Sequence, residues 1–92
     1  MIRKYTINSR SWTAITSAGQ SGICWIEKNI RGNGLININH SDSGNTNNAG
    51  FRLKKPLANN DICIISPDND NDIYYARVLN SKNIVKIVVD VA

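Results

Sequence analysis

Among 92 residues there are two cysteines, two prolines, one histidine, one phenylalanine and one methionine, and charged residues make up only 20%. Each shortage excludes something. The two cysteines, Cys24 and Cys63, stand apart with no Cys-x-x-Cys spacing, so buried free thiols are expected, with a disulfide or shared metal as the alternative. No apolar run approaches the roughly 18 residues that a membrane-crossing helix needs, and no charged leader followed by an apolar segment is evident. Synthesis and folding in the cytoplasm are therefore expected. No Gly-Lys-Ser or Gly-Lys-Thr occurs, so Gly32-Asn33-Gly34 and Ser43-Gly44 read as turns rather than phosphate loops. A helical period is missing too, beyond a turn or two anywhere in the chain.

What the chain has in abundance is asparagine, with fourteen residues, nearly all in or beside segments that look like turns. Asparagine tolerates left-handed backbone and imitates turn hydrogen bonds. Many reversals separated by short apolar runs imply strands, and 92 residues suffice for one domain, here residues 1–92, with a modest core.

Eight strands follow from alternation and β-branched content. The first is residues 3–8, a half-exposed edge with Tyr5 and Ile7 on one side. Residues 12–16 and 23–26 flank 17–22, whose Gly19 and Gly22 permit a reversal, and the stretch 11–26 reads as one hairpin holding both tryptophans. In it Trp25, between Cys24 and Ile26, is assigned to the core, whereas Trp12 has an equal claim to the surface. A polar turn over 28–34 precedes 35–40, where Ile36 and Ile38 alternate with Asn37 and Asn39 and one face meets water. Residues 41–50 form an exposed loop, Phe51 and Leu53 mark a short strand, and Pro56 ends it. The run Ile62-Cys63-Ile64-Ile65 suits a strand covered on both faces. After a turn at 67–72 come strands at 73–79 and 84–91, the last sending Val85, Ile87, Val89 and Val91 to one side.

Such spacing predicts an all-β fold, a small antiparallel β-sandwich of about 7–8 strands, Ig-like or jelly-roll-like, with an OB-type barrel as the alternative. Chemistry is harder to find. Asp68-Asn69-Asp70-Asn71-Asp72 begins like a calcium loop, but Ile73 stands where that loop needs glycine and Leu79 where it needs a bidentate glutamate. His40, Asp42, Ser41 and Ser43 could be drawn as a hydrolytic triad, yet near neighbours in one loop do not face one another as nucleophile, base and orienter. No catalytic, cofactor-binding or metal-ligating residue is assigned, and no enzyme activity is expected. The formal charge of +4 comes from scattered basic residues, a solvated surface rather than a nucleic-acid stripe.

Tyr5-Thr6-Ile7, Ser11-Trp12-Thr13-Ala14-Ile15-Thr16, Ala18-Gly19-Gln20-Ser21-Gly22 and Trp25, with Asp72-Ile73-Tyr74-Tyr75-Ala76-Arg77 and Val88-Val89-Asp90-Val91, resemble small virion proteins of tailed bacteriophages. The resemblance implies a structural β-sandwich module without an active site, resident in the virion. Its implied role is a capsid decoration or auxiliary protein that binds the major capsid protein or other virion proteins and stabilises the shell. A tail, adaptor or fibre component is the variant within that class, and self-association is compatible with either. Two readings from other classes stand beside it. One is a carbohydrate-binding module with Trp12 and a tyrosine as platforms; the other is an OB-like nucleic-acid binder, whose affinity would fall steeply with salt.

Overall fold

The computed structural model of the protein describes residues 1–44, 51–54 and 62–92. Its elements are all strands: β1 (Ile2–Ile7), β2 (Thr13–Ala14), β3 (Gly22–Arg31), β4 (Leu35–Ser41), β5 (Phe51–Lys54), β6 (Ile62–Ile65), β7 (Ile73–Val78) and β8 (Ile84–Val91). They form two four-stranded sheets, β1-β8-β3-β6 and β2-β7-β4-β5. Every pairing is antiparallel. This is the strand order of an eight-stranded jelly roll, in which consecutive strands fall in opposite sheets wherever the chain crosses between them. The all-β sandwich is as expected, and the two separate sheets settle the choice against a single closed OB-type barrel.

The core lies between the sheets and is built by alternation. From β8 come Val85, Ile87, Val89 and Val91, and from β3 Cys24 and Ile26; the facing sheet contributes Ile36, Ile38, Tyr74, Ala76 and Val78, all at most 6% exposed. Strand β8 sits between β1 and β3, so both its edges are paired and its β-branched side chains meet neighbours on either side. β1 is an edge strand with Ile7 buried and Tyr5 half-buried, as its alternation predicts.

Several expectations change. Residues 11–26 are not one hairpin: β2 pairs with β7 and β3 with β8 and β6, so residues 17–22 carry the chain from one sheet to the other. Gly19 does take a positive φ of 72°, but Gly22 is needed for space instead, because a Cβ there would lie 2.1 Å from the Asp90 carbonyl oxygen. β3 runs on to Arg31 through two bulges against β8, which confines the expected polar turn to the glycines at 32 and 34. β6 is an edge strand with Ile62 and Ile64 exposed, so the four-residue apolar run is covered on one face only. Asn37, placed by alternation on a watered face, is fully buried; the register pairs it with Arg77 on β7 and with position 52 on β5. Residues 45–50 of the predicted loop and the strand-ending segment around Pro56 lie outside the described residues.

Candidate functional site

Two surfaces stand out, one apolar and one polar. The apolar one is the outer face of β1-β8-β3-β6. Register places Ile64, Ile23, Asp90 and Ile2 in one row across the sheet, and Ile62, Trp25, Val88 and Lys4 in the next. Ile64 is 72% exposed, Ile2 61%, Ile62 57% and Ile23 36%. Trp25 points to this face and is half-buried, not a core residue between the sheets, because alternation along β3 sends Cys24 and Ile26 the other way. The four isoleucines together offer apolar area on the order of 400 Å², a size at which patches on monomers are commonly functional. Further along the same face, Glu27 lies 2.7 Å from Lys4 and 3.5 Å from Lys86. The Lys4 hydrogen bond, reinforced by both ammonium charges, holds the Glu27 carboxyl below its ordinary range. With Lys28 exposed beside them, this margin of the patch is net positive.

The polar surface is a cleft of about 250 Å³ lined by His40, Ser41, Asp42, Asp68, Asn69 and Asp72. It forms where β4 ends beside the connection from β6 to β7. The register His40 to Tyr74 sets it up, since it stacks the imidazole on the phenol ring at 4.8 Å between centroids and 15° between planes. Tyr74 is anchored in turn: its hydroxyl donates to the Ser66 carbonyl and accepts from the Ser66 amide, both at 3.1 Å. Burial pushes its phenol above the ordinary value, and the nearby Asp72 and Asp68 add to this. Asp72, 2% exposed, is the pivot of the connection. Its Oδ2 accepts the Asp68 amide at 2.9 Å and lies 2.8 Å from His40 Nδ1; Asp68 Oδ2 is 3.9 Å from the same nitrogen.

The residues drawn as a triad do not assemble as one. Ser41 and Ser43 share a hydrogen bond at 3.1 Å, and Asp42 accepts from Asn69, while His40 turns to a carboxylate thirty-two residues away. The calcium-like run does not form a ligand loop either: Asp68 and Asp72 converge on His40, whereas Asp70 is exposed and its backbone packs at Gly19. Trp12 is half-buried, with the Arg77 guanidinium 4.4 Å over its ring, so one aromatic face already has an occupant. Tyr74 and Tyr75 point to opposite sides, as expected, and only Tyr75 remains half-exposed. Cys24 and Cys63 are free, buried and opposed across β3 and β6. Their shared hydrogen bond and burial push the Cys24 thiol up, away from reactivity.

Neither surface is announced locally in the sequence. The isoleucines of the outer face come from three strands that only the sheet order makes neighbours, and the His40–Asp72 contact depends on β4 pairing with β7. No protein family, curated protein or solved structure matches the chain.

Proposed function

We propose that the chain is a structural virion protein, a capsid decoration or auxiliary protein that docks on the major capsid protein through the outer face of β1-β8-β3-β6 and stabilises the shell. The observation that carries the reading is the set of exposed isoleucines, Ile2, Ile23, Ile62 and Ile64, in two adjacent rows on a sheet whose other face is used by the core. Exposing that much β-branched apolar surface weakens solubility and gives a lone domain nothing in return, so it points to a partner. The positive margin made by Lys4, Lys28 and Lys86 around a single carboxylate selects an apolar patch edged with acidic residues on the partner. The resemblance of the strand and turn motifs to phage virion proteins supplies the setting. Fold supports it only as analogy, since jelly rolls serve capsids and lectins alike.

A small interface is sufficient there. Many copies on one lattice bridge neighbouring subunits, and the second contact of each copy is then intramolecular, so avidity exceeds the affinity of one face. Purified particles should contain the chain at a fixed ratio to the major capsid protein. Its absence from particles would end the proposal, and its presence at the low copy number of a tail or adaptor would move it from shell to tail.

A further inference from the structure

The cleft at the end of β4 has a second use that is independent of docking. We propose that His40, Asp68 and Asp72 bind a first-row divalent cation, with zinc as the preferred occupant, and that the bound ion clamps the β6–β7 connection to β4.

The ligand atoms are already gathered. One from each of the three side chains lies within 4.8 Å of the others, and the two closest to His40 Nδ1 are carboxylate oxygens at 2.8 and 3.9 Å. Small side-chain rotations bring all three to the roughly 2.0–2.2 Å at which nitrogen and oxygen ligands hold zinc. An ion bound at Nδ1 leaves the imidazole's proton on Nε2 and sets two positive charges beside the two carboxylates. An imidazole with two carboxylates favours zinc and its neighbours over calcium, which takes six to eight oxygens and little nitrogen.

Preorganisation is the second support. The His40 ring is held by stacking on Tyr74, itself tied to Ser66 by two hydrogen bonds, so its Nδ1 is aimed at the carboxylates before any ion arrives. Asp72 is buried and oriented by the Asp68 amide, which fixes one oxygen toward the cleft. Asp68 is the exposed member and closes the set, and the cleft leaves the remaining coordination positions to water. The two acids lie on the segment that crosses from one sheet to the other, and His40 lies on the second sheet, so an ion here ties the crossover down.

Because the chain has one histidine, the test is direct. Tag-free protein is titrated with zinc chloride by calorimetry, by thermal melting, and by nitrogen-15 detection of the imidazole. Expected are one ion per chain, a shift of the His40 Nδ1 signal in step with the heat, and Tm higher by about 10–20 °C at a hundredfold excess over Kd. Asp68→Asn and His40→Gln, which leave the buried Asp72 in place, should each weaken binding at least about tenfold, while Asp42→Asn on the cleft wall should not. Absence of binding to the unaltered protein overturns the proposal. So does binding that His40→Gln leaves intact, which would place the ion elsewhere, for example at the cysteine pair.

Discussion

Asn37 offers a sharp test of the packing. It is fully buried on β4, and neither its amide nitrogen nor its amide oxygen finds a hydrogen-bond partner among the described residues. The neighbouring Arg77 Nε is likewise buried and unpartnered. A buried polar group without a partner costs about 1–3 kcal/mol relative to leaving it in water. Replacing it by a residue of similar bulk that asks for no hydrogen bond recovers that cost, and valine also suits a strand interior. Asn37→Val should therefore stabilise the fold by about 1–2 kcal/mol, raising Tm by about 4–8 °C for each kcal/mol in a domain of this size. Asn37→Ala should not share the gain, because it leaves a void where side-chain atoms now pack. Chemical denaturation read by tryptophan fluorescence gives the comparison, with an unchanged m-value to confirm the same unfolding transition. A loss of more than about 1 kcal/mol in Asn37→Val would refute the reasoning, because it would mean that the amide is satisfied and contributes a net favourable bond.

Gly22→Ala should destabilise the fold by at least about 1–3 kcal/mol, since its Cβ would meet the Asp90 carbonyl at 2.1 Å where β3 and β8 are paired and neither backbone can move freely. Denaturant midpoints measure it, and a neutral substitution would contradict the close approach. Cys24 and Cys63 should resist Ellman's reagent in the native protein and react together on unfolding, because both are buried and the Cys24 thiol is pushed up by its partner and by burial. Fast native reaction of either thiol would contradict the burial of the pair between the two sheets.

Strand positions were largely legible from local pattern. The alternation at Val85, Ile87, Val89 and Val91, the β-branched stretch at 73–79 and the asparagine-rich turns between them report backbone geometry that each segment carries by itself. Partnership was not legible. A period of two states which side chains share a face, yet says nothing about what covers that face, so Asn37 looked solvated and Ile62 and Ile64 looked buried. The hairpin at 11–26 failed for a related reason, as Gly19 signals a change of direction equally well whether the next strand joins the same sheet or the facing one. Lys28, Asn29 and Arg31 read as turn because they are polar, whereas β8 is long enough to offer them ladder partners through bulges. Local pattern presents the histidine and the aspartates of the cleft as separate features. Thirty-two residues part His40 from Asp72, and only the pairing of β4 with β7 unites them.

Docking of the outer isoleucine face on a capsid shell, as proposed, can be tested on two side chains. Ile62 and Ile64 are exposed positions on an edge strand, so an Ile62→Lys, Ile64→Lys double variant should keep the native circular dichroism spectrum and denaturant midpoint within about 0.5 kcal/mol per site. Co-sedimentation with shells stripped of the chain measures its binding directly. The double variant should bind shells at least about thirtyfold more weakly than the unaltered protein, the size of a lost hot spot. A double variant that folds normally and binds shells with undiminished affinity would contradict it.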